Sequence, residues 1–546
     1  MSVTRDSAVL VVGAGPTGLM MASELTRHGL SCRVIDKAPA PSEHSKAAAI
    51  QAHTLEIFET LGIAQRFVDA GVKSHGISAY SGGKRILHIS LDGLESRYNF
   101  ALMLPQDHTE RLLGEYASAL GVRVERNVEL LGLEQDGSGV TARLKGADGE
   151  ESARFQYLVG CDGAHSAVRH ALNLAFEGAE YPEHFALADA QVDWIMPGDE
   201  ITGFFSESGM LMFFPFGGGR YRLMATCDEA PDHGEPSLAD MQALVDARAT
   251  KGIRLHDPRW LSYFRIHRRQ AQSYRVNRAF LAGDACHIHS PAGGQGMNTG
   301  LQDAYNLGWK LALVLKGQGR AEILDSYSAE RHAVGHAVLT ATDLTTRIVA
   351  LRSPVGMAVR SRLMAVLSGS EFLTRRAGRT LGELSVNYRR SPLVEDHHEG
   401  IGKIFASLAG GPEVGDRAPE VSGLRSGAGQ EVGLWEMLRG TRHTLLLFPG
   451  IEAHHADYRE LVGIGQRVSE RYGQCVNPLL IVTDGVMPQE LGWSGGAILD
   501  PAQKLHSQYH AASAGLYLIR PDGYIGYRSF PPQAARLADF LGRIFL

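Results

Sequence analysis

A carboxylate and a helix start converge in the stretch from Arg278 to Asp303, RAFLAGDACHIHSPAGGQGMNTGLQD. Its pattern predicts a short apolar strand, an acid at the end of that strand, a glycine-rich loop, and a helix that runs to about Leu315. A helix N-terminus carries roughly half a positive charge and several unpaired amides, so it favours an anion placed against it. The stretch therefore predicts a site for an anionic group, although a plain tight turn has the same glycine spacing. The candidate binding residues are Gly283, Asp284, Pro291, Gly294, Gly296, Met297 and Asn298.

A second glycine-rich turn follows the strand predicted from Ala8 to Val12. A helix is predicted from Leu19 to about His28, and the next strand, 31–35, ends at an acid. In a dinucleotide-binding fold such glycines permit close approach to a pyrophosphate, and an acid about 20 residues on binds a ribose hydroxyl. The acid favours a ribose without a 2′-phosphate, as in FAD or NAD. The candidate residues are Gly13, Gly15, Pro16, Thr17, Gly18, Asp36 and Lys37.

Two shorter motifs lie between these blocks. An apolar strand that begins at Tyr157 ends at Asp162, and a helix start with Ser166 and Arg169 one turn apart follows it. By itself this is common turn chemistry. Gln106 opens a further helical segment. Asp162 and Gln106 become candidate site residues only through their order with the two glycine-rich blocks.

The blocks in this order resemble those of the class A flavoprotein aromatic hydroxylases, the family of para-hydroxybenzoate hydroxylase, phenol hydroxylase and the polyketide hydroxylases. The resemblance covers residues 1 to about 400. It implies a non-covalently bound FAD, with adenosine and pyrophosphate on the Gly13 block and Asp162 near the pyrophosphate. Asp284 would hold the ribityl chain, the loop from Pro291 to Asn298 would face the isoalloxazine ring, and Gln106 would lie near the flavin.

The chain departs from the family pattern at two positions after the second strand. Lys46 stands where many members have an arginine, and His53 replaces the arginine of an Ala-Arg-Thr-Leu-Glu segment. Neither side chain offers the planar fork of a guanidinium. Lys46 remains a candidate cofactor-binding residue.

The resemblance implies an FAD-dependent monooxygenase that uses NADH or NADPH as a transient co-substrate. Oxygen would pass from a flavin C4a-hydroperoxide to a phenolic or polycyclic aromatic ring, and the protein must orient that ring and exclude water. The catalytic base stays unassigned. Two alternatives remain open: a Baeyer–Villiger or epoxidising flavin monooxygenase, because a fold does not fix the reaction, and a flavin- or NAD-binding interaction protein without oxygenase activity. The candidate bases are Tyr80, His88, Tyr98, Tyr221 and His267.

Bulk composition narrows the class of protein. A net charge of −6 without a dense basic cluster gives no electrostatic footprint for nucleic acid. The absence of an apolar run of about 18 residues predicts neither a membrane span nor a signal peptide, and makes a cytoplasmic location the default. Five cysteines without a C-x-x-C pair argue against a disulfide framework or a zinc knuckle. The histidine pairs give no metal-ligand spacing, so we expect no metal site.

The predicted fold class is α/β, with three units. A Rossmann-type FAD domain like that of glutathione reductase spans 1–75, 100–180 and 276–400, including trailing helices. A substrate-binding sheet domain spans 76–99 and 181–275, with strands near 203–205, 210–215 and 220–226. The pattern at 411–546 resembles the thioredoxin-like domain of phenol hydroxylase; without C-x-x-C it offers no thiol chemistry, and a packing or homodimer-forming role is expected.

Residues 203–216 are rich in Phe and Met, which favours a flat and mainly apolar substrate. Arg220 and Arg222 have the chemistry to clamp a carboxylate. We expect them to be solvated instead, because both lie in a predicted strand whose orientation the sequence does not fix. The expected partners are thus a small aromatic substrate and O2, with no nucleic acid and no membrane.

Overall fold

The computed structural model describes residues 7–42, 45, 47–194, 196–227, 234–290, 293–349, 354–398, 411–453, 455–483 and 492–546. The predicted site residues Lys46 and Pro291 lie outside these ranges. None of the described helices is both long and apolar enough to cross a membrane. The α-helices in the described ranges are Pro16–Arg27, Ala52–Thr60, Ala64–Ala70, Gln106–Ala119, Ala167–Ala171, Leu238–Arg248, Gly296–Leu315, Asp325–Val349, Pro354–Ser368, Glu371–Leu381, Leu434–Met437, His455–Tyr472, Lys504–Gln508 and Ala534–Ile544.

A six-stranded sheet organises the first unit. Its strands, in spatial order, are Arg275–Val276, Ala279–Leu281, Tyr157–Gly160, Val9–Val12, Cys32–Asp36 and Val124–Arg126. Every pairing from Ala279–Leu281 to Val124–Arg126 is parallel. The carboxyl ends of these strands therefore lie at one edge, which is where ligands bind in open α/β sheets. The glycine loop at 13–18, the Asp162 turn and the Asp284 turn all follow strands at that edge.

Two small sheets complete this unit. One is a meander of Glu129–Gln135, Val140–Gly146 and Gly149–Phe155. The other joins Ala49–Ile50, Ala101–Met103 and Val72–Ser74. The helices Pro16–Arg27 and Gly296–Leu315 cross closely where a Cβ at Gly308 would lie 2.8 Å from the Cβ of Glu24. The second helix is buried along most of its length.

The second unit is built on an eight-stranded sheet. Its order is His287–Ile288, Arg254–Ala271, Phe176–Asp193, Arg220–Cys227, Gly209–Gly217, Glu200–Ser206, Gly76–Ser81 and Lys84–Ser90. The three strands predicted between 203 and 226 all lie in it. Side chains alternate between its faces. Leu211 and Phe213 pack with Met241 and Val245 of the helix Leu238–Arg248. Met210 and Met224 lie on the opposite face, toward the helices Pro354–Ser368 and Glu371–Leu381.

A mixed sheet forms the C-terminal unit. Its order is Glu395–His398, Ile525–Phe530, Ser513–Ile519, His443–Gly450, Val476–Val482, Gly496–Leu499, Leu424–Ser426 and Glu431–Val432. Along the chain, the segment 443–530 runs strand, helix, strand, strand, helix and a terminal hairpin. His443–Gly450 pairs in parallel with Val476–Val482 and antiparallel with Ser513–Ile519. Helices His455–Tyr472 and Ala534–Ile544 cover one face with a buried apolar cluster.

Buried charges join the C-terminal unit to the first unit. Glu330 accepts hydrogen bonds from Lys310 at 2.7 Å and from both terminal nitrogens of Arg520 at 2.6 and 2.9 Å. Arg520 also pairs with Asp522 in the hairpin turn, and Asn306 donates to both carboxylates. We call Lys310, Glu330, Arg520 and Asp522 the buried ion cluster; its formal charges sum to zero. Removing one member would leave a buried charge without compensation. The cluster therefore links the C-terminal unit firmly to the first unit.

The last residues of the sequence also contact the first unit. The backbone amide of Arg320 donates to the carbonyl of Ile544 at 2.9 Å, and the amide of Leu546 donates to the carbonyl of Gln318 at 3.0 Å. Gly319 and Phe545 form an isolated β-bridge between these bonds. The turn that ends the helix Gly296–Leu315 is therefore held by the C-terminal segment.

Candidate functional site

The first glycine loop is closed against the sheet at its ends and open in its middle. Gly13 has φ of +99°, and a Cβ there would lie 2.4 Å from the carbonyl oxygen of Cys161. A Cβ at Gly18 would lie 1.9 Å from the Gly13 carbonyl oxygen, whereas a Cβ at Gly15 would meet nothing within 4 Å. Gly15 caps the helix Pro16–Arg27 without a side-chain bond. The loop leaves room and unpaired amides for a phosphate.

Asp36 ties this loop to the next one. Its Oδ2 accepts the Ala14 amide at 2.7 Å and its Oδ1 accepts the Ala38 amide at 2.8 Å, with Arg126 3.5 Å away. A carboxylate has about four lone-pair sites, so Asp36 keeps capacity for a ribose hydroxyl. Lys37 is exposed beside it.

Thr17 lies between the glycine loop 13–18 and the Asp284 turn. A Cβ at Gly283 would lie 2.6 Å from Thr17 Oγ1, and so would a Cβ at Gly300. The turn Gly283–Ala285 therefore packs against the starts of the helices Pro16–Arg27 and Gly296–Leu315. Asp284 is exposed although the residues around it are buried. This placement leaves its carboxylate accessible to a ligand at the sheet edge.

The Asp162 carboxylate accepts hydrogen bonds from the start of the helix Ala167–Ala171 that follows it. Its Oδ1 accepts from Ser166 Oγ at 2.6 Å and its Oδ2 from the Val168 amide at 3.1 Å, and burial raises its pKa. Ser166 Oγ accepts the Arg169 amide at 2.9 Å, which confirms the predicted spacing. Arg169 in turn donates to the carbonyl of Ala285 at 2.9 Å. The segment from Asp162 to Arg169 is thus hydrogen-bonded to the Asp284 turn.

The segment 47–51, which we call the strap, lies between two helix starts and is hydrogen-bonded to both. Gln106 Oε1 accepts the Ala47 amide at 3.0 Å, and the Gln106 amide donates to Ser45 Oγ at 2.6 Å. At the other end, Asn298 accepts the Gln51 amide at 2.9 Å and donates to the Ala49 carbonyl at 3.0 Å. Gln106 and Asn298, which are predicted to lie at the cofactor, therefore hold the strap in position.

The loop before the helix Gly296–Leu315 contains an orphaned polar atom. Among the residues that the structure describes, His289 Nε2 is buried without a hydrogen-bond partner, and it would lie 3.6 Å from a Cβ at Gly296. Burial lowers the pKa of His289 to about 4, so the ring is neutral. The helix start has no side-chain cap, while Gly294 and Met297 are partly exposed there. Open amides, an accessible carboxylate and the open Gly15 loop fit the pyrophosphate, ribityl and ring of a flavin dinucleotide.

A half-buried apolar surface lies across from the strap. We call Met212, Phe214, Phe216 and Phe264 the apolar wall; all four are partly exposed. Met212, Phe214 and Phe216 pack against a buried cluster formed by Ala49 of the strap together with Met103 and Ile201. Phe264 joins the neighbouring cluster on the same face.

A family model described as FAD binding domain matches residues 6–342. The chain is 32% identical over 544 residues to pentachlorophenol 4-monooxygenase of Sphingobium chlorophenolicum, covering 96% of this chain and 94% of that protein. It is 35% identical over 529 residues to 6-methylpretetramide 4-monooxygenase of Streptomyces rimosus, covering 95% and 90%. This chain belongs to the FAD-dependent aromatic hydroxylase family.

Solved structures agree with this membership. The monooxygenase superposes on OxyS anhydrotetracycline hydroxylase from Streptomyces rimosus with a TM-score of 0.74 and 30% identity, covering 98% of both chains. It also matches a ternary complex of aklavinone-11 hydroxylase with FAD and aklavinone, with a TM-score of 0.76 and 27% identity over 100% and 99% of the chains.

Arg222 of the monooxygenase is buried, so the expectation that it is solvated is wrong. Its Nε and Nη2 bind Asp189 at 2.8 and 2.7 Å, and its Nη1 reaches the Ala47 carbonyl at 3.4 Å. Asp189 and Arg222 are direct partners across neighbouring strands. That register, which the sequence does not reveal, neutralises the guanidinium beside the strap. Arg220, two residues earlier in the same strand, is partly exposed and donates to the Asp257 carbonyl at 3.4 Å.

None of the five candidate bases lies on the wall face. Tyr98 belongs to the core of the first unit, where it donates to Glu59 and burial raises its pKa. Tyr80 and Tyr221 pack on the opposite face of the sheet. His88 and His267 alternate with Leu87 and Ile266, which point to the wall side. The monooxygenase therefore presents an apolar wall without a base from this set.

Cys286, His287 and Asp303 are the one described group whose ligand atoms lie close enough for a metal, within 4.8 Å of one another. Asp303 is already paired with Arg331 at 2.6 Å, and burial raises the pKa of the Cys286 thiol. A protonated thiol beside a guanidinium opposes cation binding. We interpret the group as part of a hydrogen-bond network.

Proposed function

We propose that the monooxygenase hydroxylates a phenolic or polycyclic aromatic ring held between the apolar wall and the loop 293–298. The observation that carries the proposal is the meeting of wall and strap beside the uncapped helix start at Gly296. A wall of four apolar side chains binds a flat ring by area and shape. Phenols and tetracyclic compounds named for the relatives have this form.

FAD in this proposal occupies the carboxyl edge of the six-stranded sheet. Bound FAD supplies hydride acceptance from NADH or NADPH and the reaction with O2. The residues proposed to hold it are Gly13, Gly15, Pro16, Thr17, Gly18, Asp36, Lys37, Lys46, Gln106, Asp162, Gly283, Asp284, Pro291, Gly294, Gly296, Met297 and Asn298. Asp284 accepts ribityl hydroxyls, and each such hydrogen bond to a charged group contributes about 1.5–3 kcal/mol.

The side chains around the ring act by orientation and by exclusion of water. The Arg222–Asp189 pair holds the strap carbonyl at Ala47 and carries no net charge toward the wall. None of the five candidate bases faces the wall, so none of them is assigned a role in activating the substrate. An orienting site of this kind favours an electron-rich phenol.

The C-terminal unit is proposed to be thioredoxin-like. A parallel pair followed by an antiparallel hairpin, with helices on the sheet, supports this arrangement. Cys475 is the only cysteine in residues 411–546, so the unit has no dithiol to cycle. The boundaries predicted for the three domains and a homodimer built through this unit remain predictions.

Substrate screening tests the proposal. The purified protein would be offered phenols, naphthols, anthraquinones and tetracyclic phenols, with oxidation of NADH and NADPH followed by absorbance and product mass measured. Stimulated oxidation and the gain of one oxygen on the ring support hydroxylation. Ring expansion of a ketone to a lactone would identify Baeyer–Villiger chemistry instead, and a colourless protein that takes up no FAD would contradict the proposal.

Asp284→Asn provides a sharper test of the cofactor placement. The amide keeps the shape of the side chain and removes its charge, so flavin content after gel filtration should fall severalfold. Asp148→Asn, an exposed change in the hairpin turn 147–148, serves as the control. Equal flavin content in wild type and Asp284→Asn would show that this carboxylate does not contact the cofactor.

A further inference from the structure

Arg331 connects the two segments proposed to hold the flavin. It lies in the helix Asp325–Val349 and has no exposed surface. Its Nε donates to Asp303 Oδ1 at 2.6 Å and its Nη2 to the Thr299 carbonyl at 2.9 Å. Thr299 belongs to the first turn of the helix Gly296–Leu315. One guanidinium therefore fixes that helix start from behind.

Asp303 carries this contact on to the Asp284 turn. Its Oδ2 accepts the Gly283 amide at 2.9 Å and lies 2.8 Å from His287 Nε2. Burial alone would raise the pKa of Asp303, but the Arg331 guanidinium and His287 hold it below the usual range. The carboxylate is thus ionised and binds both the residue before Asp284 and Arg331.

The third contact of Arg331 comes from the segment that leads into the C-terminal unit. Arg331 Nη1 donates to the Tyr388 hydroxyl at 2.9 Å. The Tyr388 ring packs on Tyr524 of the C-terminal hairpin, with ring centroids 4.1 Å apart. The Tyr388 amide donates to the Gly415 carbonyl at 2.6 Å. The C-terminal unit therefore reaches the flavin-binding turn through two tyrosines and one arginine.

We propose that Arg331 is a positioning residue through which the C-terminal unit, by way of Tyr388, sets the affinity and reduction potential of bound FAD. This inference rests on the proposed placement of FAD at the Asp284 turn and the Gly296 helix start. An anionic reduced flavin is stabilised by a helix N-terminus only when the two are aligned. Loss of a bond to Arg331 loosens both the helix start and the turn, and so weakens the reduced state most.

Tyr388→Phe is the decisive variant, because it removes the hydroxyl and keeps the ring stacked on Tyr524. The dissociation constant of FAD, measured by flavin fluorescence with apoprotein, should rise about tenfold, as expected for leaving a buried charged donor without its partner. The midpoint potential of the bound flavin, measured at saturating FAD, should become more negative. Arg331→Lys keeps the charge but not the three-way fork, and should shift both quantities further.

Tyr458→Phe is the matched control. Tyr458 is also a buried tyrosine, and its hydroxyl has no hydrogen-bond partner within the described part of the chain. It lies in the apolar cluster of the C-terminal unit, away from Arg331. Its removal should leave both the FAD dissociation constant and the midpoint potential unchanged.

Each result either supports or overturns the inference. A weaker FAD affinity together with a shifted potential in Tyr388→Phe, and not in Tyr458→Phe, supports it. An unchanged affinity, or a weaker affinity with an unchanged potential, would reduce Tyr388 to a packing role and overturn it. If the wild-type protein itself bound no FAD, the proposed function would fail first, which separates the two failures. Tyr388→Phe keeps the test valid even if Arg331 variants do not fold.

Discussion

Glu330→Gln should uncouple the C-terminal unit from the first unit. The Glu330 side chain has no exposed surface, and it accepts hydrogen bonds from Ser391, Asn306, Lys310 and Arg520. In the variant the neutral amide turns a donor toward groups that are already donors. The buried ion cluster then holds two cations against one carboxylate, that of Asp522.

The expected loss in the free energy of unfolding follows from the burial of both ion-pair partners. Breaking a buried ion pair by removing one member costs about 3–5 kcal/mol. Glu371→Gln is the control, because Glu371 pairs with Arg375 at 3.1 Å while its side chain is 87% exposed. An exposed pair of this kind contributes about 0–1 kcal/mol. The variant therefore loses a buried carboxylate with four donors, whereas the control loses a charge that water already screens.

Urea unfolding followed by tryptophan emission measures the difference. Trp309 is buried beside the cluster, with the Arg520 guanidinium 5.3 Å from its ring, so it reports on this interface directly. The midpoint should fall in Glu330→Gln and stay near wild type in Glu371→Gln. Equal midpoints in all three proteins would refute the reasoning that the cluster joins the two units.

Three further changes have defined outcomes. Gly18→Ala should abolish FAD retention, measured as bound flavin after gel filtration, because its Cβ meets the Gly13 carbonyl oxygen at 1.9 Å; Gly114→Ala, with only a 3.9 Å contact, should not. Burial raises the pKa of Glu383 to about 8, so the folded state holds a proton that the unfolded state has lost above about 4.5. Stability should therefore fall as pH rises from about 5 to 8, by at most about 1.4 kcal/mol per pH unit, and melting curves of Glu383→Gln should lack this slope. Cys475→Ser should leave turnover unchanged, since a lone cysteine forms no disulfide within its unit; loss of turnover in a folded variant would contradict this.

Local patterns predicted the elements that carry the proposed cofactor site. The glycine loop at 13–18 and the Asp284 turn each lie within one strand, turn and helix, so their spacing is written in consecutive residues. The C-terminal hairpin around Pro521 was predictable for the same reason. The predicted end of the helix after the Asp284 turn, at about Leu315, also agrees with the helix Gly296–Leu315.

Contacts between distant segments were not predictable in this way. Asp189 and Arg222 meet because of strand register, and a shift by one residue would have turned Arg222 to the opposite face, as Tyr221 is. Arg331 meets Tyr388, and Glu330 meets Arg520, only after the third unit has docked. The patterns predict ligand binding for Asp36 and Asp162, and in the structure each carboxylate also accepts backbone amides. Burial and pairing of charges depend on the whole fold.

The order of strands in the first sheet has a consequence for synthesis on the ribosome. Ala279–Leu281 is the neighbour of Tyr157–Gly160, and the turn after the helix Gly296–Leu315 is fixed by Ile544 and Leu546. About 230 residues separate the end of that helix from Leu546, and their translation takes on the order of 10–50 s at about 5–20 residues per second. During this interval the helix packs on Pro16–Arg27 but lacks its contacts with the C-terminal unit. Chaperone occupancy on stalled chains should therefore be highest between the completion of this helix and the arrival of the C-terminal segment.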